Sequence, residues 1–268
     1  MIEIKNVRKA FGEKVVLHDV SFKMEAGKTN LIIGTSGSGK TVLMKIMIGL
    51  MSVDNGQVLY EGEDIVTMDV KELKQLRQSV GMLFQGSALF DSKTVEENVM
   101  FPLDMFTKDN YATKLKRVNE VLDRVNLKDA NKKFPAEISG GMKKRVALAR
   151  AVVQNPKYLF CDEPNSGLDP QTSLVIDKLI KEITTEFNIT TVVNTHDMNT
   201  VMEYGDHIVY MYQGTKQWEG TNKDIIFSKD EKLNAFIFAS EFLEKAKEMS
   251  MMEAEAALRS RTGQSYKD

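Results

Sequence analysis

Eight consecutive residues near the start of the chain, Gly34-Thr35-Ser36-Gly37-Ser38-Gly39-Lys40-Thr41, constrain the fold more than any other feature. They fit the spacing G-x-x-x-x-G-K-[ST]. A short β-rich run, residues 29–33, leads in. Val42, Leu43, Ile46, Met47 and Leu50 follow at helical spacing. The glycines let the backbone curl until successive N–H groups point inward as an anion nest. The helix behind it adds its positive end. A strand that turns through such a loop straight into a helix belongs in an α/β sheet. Gly34, Ser36, Gly37, Ser38 and Gly39 are therefore candidates for holding the phosphates of a nucleoside triphosphate. Lys40 is placed to reach the β and γ oxygens, and Thr41 to put its hydroxyl on Mg²⁺.

The remaining pattern extends this picture. Residues 2–7 and 15–22 read as strands on either side of the turn Phe11-Gly12-Glu13-Lys14, an antiparallel piece at the N-terminus. Residues 58–60 and 80–84 read as further strands. The stretch 94–125 is helical in period, with Leu115, Val118, Val121, Leu122 and Val125 on one face. A second helix covers 139–153 and is stopped by Pro156. Buried strands at 158–161 and 190–194 bracket a helix at about 171–187, and residues 207–212 and 215–219 form a hairpin around Gln213-Gly214. Apolar strands alternating with helices predict a largely parallel sheet covered on both faces. From Asp230 the composition shifts, with apolar positions at Leu233, Phe236, Ile237, Phe242, Leu243 and Ala246 before a polar end. The expected division is an ATPase domain over 1–230 and a helical extension over 231–268.

The strand 158–161 ends in Asp162 and Glu163. An apolar strand delivering carboxylates at its C-terminal end puts them on the edge where open α/β sheets bind ligands. Asp162 suits Mg²⁺, directly or through an intervening ligand, and Glu163 suits polarising an attacking water. Composition excludes some classes. A formal net charge of -2 leaves no chain-wide basic footprint for nucleic acid. The single cysteine, Cys161, rules out an internal disulfide and fits a reducing compartment. No window approaches the roughly 20 apolar residues of a membrane span, and MIEIKNVRKA lacks the apolar stretch of a leader. The chain is expected to work in the cytoplasm.

Further motifs fall in an order that resembles one family, the ATP-binding subunits of ABC transporters. Ser139-Gly140-Gly141-Met142-Lys143-Lys144-Arg145 opens a helix and resembles that family's signature, where glutamine usually stands in place of Met142. Gln85 lies at the position of the Q-loop, Ser166-Gly167-Leu168-Asp169 resembles the D-loop, and His196 matches the switch histidine. Phe11 stands where the family has an aromatic that stacks on adenine. The resemblance covers about residues 1–228. It implies a P-loop NTPase fold, a RecA-like mostly parallel core with an N-terminal antiparallel β subdomain and an inserted helical subdomain at about 88–150.

Read from the residues, Ser139, Gly140 and Gly141 make a second anion site at a helix N-terminus. The resemblance explains two such devices in one chain. A second copy pairs head-to-tail, so that the signature of one copy closes on the γ-phosphate held by the phosphate loop of the other; the resemblance also implies Asp169 as a nucleotide-binding residue. It further implies Glu163, His196 and Gln85 as the catalytic set, with Gln85 linking Mg²⁺ and the water to the helical segment. The implied partners are an integral membrane permease, a small regulatory protein and a substrate-binding protein. The implied location is the cytoplasmic face of the inner membrane. Ser-Gly-Gly-Met followed by basic residues, together with Met82-Leu83-Phe84-Gln85-Gly86-Ser87-Ala88-Leu89-Phe90, is closest to the ATPases of Mla/Mce-type lipid transport systems. That reading implies a phospholipid or other hydrophobic cargo. A small-solute importer, for instance of amino acids, is the alternative. A soluble ABC ATPase acting on DNA or in translation fits less well, because the chain has neither long coiled-coil insertions nor a second ATPase domain.

Overall fold

The two kinds of strand pattern resolve into two sheets. A computed structural model describes residues 1–239, 243–245, 247–249 and 251–252. In chain order the strands are β1 (Ile2–Phe11), β2 (Lys14–Met24), β3 (Thr29–Ile33), β4 (Asn55–Tyr60), β5 (Glu63–Asp64), β6 (Val80–Leu83), β7 (Tyr158–Asp162), β8 (Thr190–Asn194), β9 (His207–Tyr212) and β10 (Thr215–Gly220). The helices are α1 (Lys40–Met47), α2 (Val70–Gln78), α3 (Val95–Phe106), α4 (Tyr111–Arg124), α5 (Gly140–Val152), α6 (Pro170–Glu186), α7 (Met198–Tyr204), α8 (Asn222–Ile226) and α9 (Glu231–Ile237).

One sheet is antiparallel, in the order β2-β1-β4-β5. The other runs β10-β9-β3-β8-β7-β6 and is parallel from β9 to β6, with β10 antiparallel at its edge. This is the mostly parallel α/β core with an antiparallel N-terminal sheet expected from the sequence. The period-2 alternation of the central strands divides the interior in two. Ile32, Phe160, Val192 and Val209 face α1 and the antiparallel sheet. Leu31, Ile33, Leu159, Cys161 and Val193 face a cluster built with α3, α4, α5 and α6.

The structure corrects several local expectations. The helical stretch 94–125 is two helices, because Thr107 is extended and Asn110 starts a new helix by accepting from the Thr113 N–H at 2.9 Å. α1 stops at Met47 rather than Leu50, since Gly49 takes a positive φ of 69°. α2 buries no residue fully and meets the core only through the half-buried Leu73 and Leu76, too few apolar positions to set a period. Its signal is the capping box, in which Asp69 accepts from the Glu72 N–H and Glu72 from the Asp69 N–H. The start of the expected C-terminal extension, α9, buries Leu233 and Ile237 in the same core as the parallel sheet. Phe242, Ala246 and residues 263–268 lie outside the described residues.

Candidate functional site

The parallel strands carry their polar residues at their C-terminal ends, and four adjacent strands converge on one cleft of about 1100 Å³. β3 supplies the loop Gly34–Thr41 and β6 supplies Gln85. β7 supplies Asp162 and Glu163, and β8 supplies His196. All of these residues line the cleft.

Backbone geometry explains the glycines of the loop. A Cβ on Gly34 would stand 2.2 Å from the Met211 carbonyl oxygen, so only glycine lets β3 leave the sheet this close to β9. Gly39 caps α1 with φ 99°, and no side chain caps that helix end. The first N–H groups of α1 therefore have no intrahelical or capping acceptor and face the cleft. Gly37 takes φ 78°, and a Cβ there would meet no protein atom within 4 Å, which keeps the mouth of the loop open. Lys40 Nζ donates to the carbonyls of Gly34 (2.7 Å) and Thr35 (3.1 Å). Burial pulls its ammonium below the usual lysine range, opposed by the charges of Glu163 and Asp162. The buried Ser38 hydroxyl has no partner. An uncapped helix end, the Lys40 ammonium and an unpaired hydroxyl form a donor set with the chemistry of a phosphate site.

At the end of β7, Asp162 Oδ1 accepts from Asn194 Nδ2 at 3.1 Å. Among the described residues no three His, Cys, Asp or Glu side chains gather as a metal cluster. The donors near the loop, the Asp162 carboxylate and the Thr41 hydroxyl, are hard oxygens that fit Mg²⁺ carried in with phosphate oxygens rather than a fully protein-bound ion. Glu163 sits in the left-handed region at φ 49°, a conformation that costs about 1–3 kcal/mol in a residue with a side chain. The surroundings hold it there: its N–H donates to the Asn194 carbonyl at 2.9 Å, and its Oε2 lies 2.6 Å from His196 Nδ1. A carboxylate aimed into the cleft and held by an imidazole can polarise water. Gln85 Nε2 donates to Ser166 Oγ at 3.2 Å, which ties the end of β6 to the loop after Glu163.

The remaining expected site residues lie elsewhere on this chain. Ser139 caps α5 by accepting from the Met142 N–H at 3.3 Å, with Gly140 exposed and Gly141 half-buried beside it. Met142 packs against the main core. Asp169 caps α6 through Thr172, whose hydroxyl and N–H hold its carboxyl below the usual range. Phe11 ends β1, 48% exposed, with the Lys9 ammonium 5.7 Å from its ring centroid. None of these five, Phe11, Ser139, Gly140, Gly141 and Asp169, lines the cleft.

Sequence reasoning missed part of the site: His18 and Phe236 also line the cleft, and two buried residues hold its strand ends. Asn194 is fully buried between Asp162 and Met44. Its signal was an amide ending a fully buried, β-branched strand. Lys144 is buried on α5 and donates to the backbone carbonyl of Gln85. Its signal was a charge in register with the buried Ala147, Leu148 and Ala151.

Residues 17–166 match the family described as ABC transporter. The chain is 36% identical to the "Probable ribonucleotide transport ATP-binding protein mkl" of Mycobacterium leprae, over 96% of this chain and 75% of that protein. It is 42% identical to the methionine import ATP-binding protein MetN of Carboxydothermus hydrogenoformans, over 85% of this chain and 68% of that one. Among solved structures it resembles a bacterial ABC transporter cassette in dimeric form, with a TM-score of 0.76 and 32% identity over 83% of this chain and 99% of that chain.

Proposed function

The chain belongs to the ABC transporter family and is its ATP-binding, ATP-hydrolysing part, and from that premise we propose how this copy works and what it serves. The observation that carries the proposal is a division of labour within one chain. The phosphate loop, Asp162, Glu163, Gln85 and His196 share a cleft, while Ser139-Gly140-Gly141 and Asp169 present a second set of polar groups outside it. Each site is completed by a second copy, head-to-tail, whose α5 N-terminus closes on the phosphate held by Gly34–Thr41. Lys40 and the loop N–H groups hold the β- and γ-phosphates. Thr41 and Asp162, with Gln85, hold Mg²⁺, which neutralises charge on the phosphate oxygens when bound. Glu163 polarises the attacking water, and His196 keeps its carboxylate in line.

Glu163→Gln tests these assignments. It should bind ATP, hydrolyse it about 100-fold or more slowly, and accumulate as a dimer on size exclusion with ATP and Mg²⁺. Turnover at the normal rate would remove Glu163 from the chemistry.

No helix among the described residues is long and apolar enough to cross a membrane. The permease we propose is a separate chain, which would place this subunit on the cytoplasmic face of the membrane. An apolar groove of about 290 Å³ beside the end of β6, lined by Phe84, Phe90, Phe101 and Phe106 among others, adjoins Gln85 and suits a permease helix. Phe84, Phe90 and Phe106 are each about 40% exposed there.

For the cargo we favour phospholipid or another hydrophobic molecule, on the Ser-Gly-Gly-Met signature and the run Met82–Phe90. The second reading is amino-acid import, favoured by the likeness to methionine import ATPases. Mild solubilisation of host membranes with a tagged chain separates them. A permease with a lipid-binding envelope protein supports the first; a permease with a soluble amino-acid-binding protein supports the second.

A further inference from the structure

Behind the cleft lies a closed triangle of buried polar side chains that no step above uses. Asn165 Nδ2 donates to Asp177 Oδ1 at 2.9 Å and to Thr200 Oγ1 at 3.1 Å. Thr200 Oγ1 in turn donates to Asp177 Oδ2 at 2.7 Å. All three are at most 7% exposed. Each comes from a different element: Asn165 from the loop after β7, Asp177 from α6, and Thr200 from the first turn of α7.

The placement gives the triangle meaning. Asn165 follows Glu163 by two residues, within a tight turn in which the Ser166 N–H donates to the Glu163 carbonyl (3.2 Å) and the Leu168 N–H to the Asn165 carbonyl (3.1 Å). Thr200 follows His196 by four residues, and Asp197 caps α7 by accepting from the N–H groups of Asn199 (2.8 Å) and Thr200 (3.4 Å). One rigid turn on each side therefore separates the triangle from the Glu163–His196 contact. We propose that Asn165, Asp177 and Thr200 are positioning residues: a clamp that fixes the strand-end loops of β7 and β8 relative to each other and so holds Glu163 against His196. The inference rests on the hydrolytic roles given above to those two residues.

Packing alone does not account for the triangle. A buried carboxylate is costly, and apolar residues of like volume commonly serve as well or better for stability. Burial pushes the Asp177 carboxyl up to about 6, the hydrogen bonds from Thr200 and Asn165 pull it back, and the carboxylates of Asp197 and Glu203 on α7 push the same way as burial. Its other titratable neighbours are Tyr204 on α7 and the Cys161 thiol on β7, both driven up mainly by their own burial. Asn165 Oδ1 is buried with no partner. What the triangle supplies in return is direction: three hydrogen bonds fix an orientation that apolar contacts leave soft.

The test compares the full chain with three variants: the apolar triple Asn165→Leu/Asp177→Leu/Thr200→Val, Thr200→Val alone, and Thr200→Ser. Melting temperature, affinity for a fluorescent ATP analogue, and kcat with KM for ATP are measured on each. The triple should melt at or above the wild-type temperature and bind nucleotide within about twofold, yet lose about tenfold or more in kcat, the scale expected when a catalytic base is misplaced. Thr200→Val should lose kcat in the same sense, and Thr200→Ser should recover it. Wild-type kcat in the folded triple, or in Thr200→Val where the triple does not fold, overturns the proposal. So does a loss confined to nucleotide affinity. Glu163→Gln run in parallel separates the layers. If it turns over normally, the reading of the site falls and the clamp with it; if it is inactive while the clamp variants are active, only the clamp falls.

Discussion

Lys40 and Asp177 show how one side chain answers to its surroundings. Lys40 is folded back on the carbonyls of Gly34 and Thr35, so its ammonium is desolvated but partnered until phosphate takes their place. Lys40→Ala should lower ATP turnover about 100-fold or more, because the charge facing the transferred phosphoryl group is lost; phosphate release at saturating ATP measures it. Asp177 makes a prediction about pH. Its folded-state carboxyl is raised from 3.8 to about 6, so between those values the folded chain binds more protons than the unfolded one. Its contribution to stability therefore falls as pH rises through that window and is lost above it, by up to about 3 kcal/mol. Asp177→Asn has no such titration. Urea unfolding at pH 4 and pH 7 should show the variant gaining on wild type at the higher pH, and an unchanged difference would show that the Asp177 carboxyl titrates no higher in the folded chain than in the unfolded one.

Among the elements, the β6–α5 contact decides where Gln85 sits. β6 lies so close to the end of α5 that a Cβ on Gly81 would stand 2.2 Å from the Ala151 carbonyl oxygen. That obstacle is backbone and cannot rotate away. Gly81→Ala should force β6 and α5 apart and cost about 1–3 kcal/mol, read from denaturant midpoints, with a fall in turnover because Gln85 and Lys144 ride on the two displaced elements. Elements also set how much was legible beforehand. The central strands and α5 could be read because they are buried in regular periods. α2, which meets the core only through the half-buried Leu73 and Leu76, and α7, of 7 residues, could not, for so few buried positions leave no apolar repeat to read.

For the whole molecule, the decisive feature of the proposed arrangement is that a single chain would hold both halves of a site without bringing them together. Lys40→Ala disables one half and Gly140→Asp the other, since a carboxylate at the α5 N-terminus repels the phosphate facing it. Gly140 has room for the change, its nearest obstacle being Leu168 Cδ2 at 3.8 Å. Either variant alone should be inactive. Mixed, the head-to-tail dimer contains one site with both defects and one with neither, so hydrolysis should return. Continued inactivity of the mixture, with mixed dimers shown to form, would falsify the shared-site arrangement.

The chemistry of the site was largely written in the chain itself. A glycine loop of fixed spacing, a strand ending in Asp162-Glu163, and His196 after the next buried strand are local patterns, and local patterns survive in one dimension because backbone conformation and burial act over a few residues. The order of strands, the 2.6 Å approach of His196 to Glu163, the Lys144 bridge to Gln85 and the Asn165–Asp177–Thr200 triangle were decided by tertiary structure alone. These contacts join residues 12 to 59 positions apart. No propensity or period carries information over such spans. They arise only when the parallel sheet places its strand ends side by side.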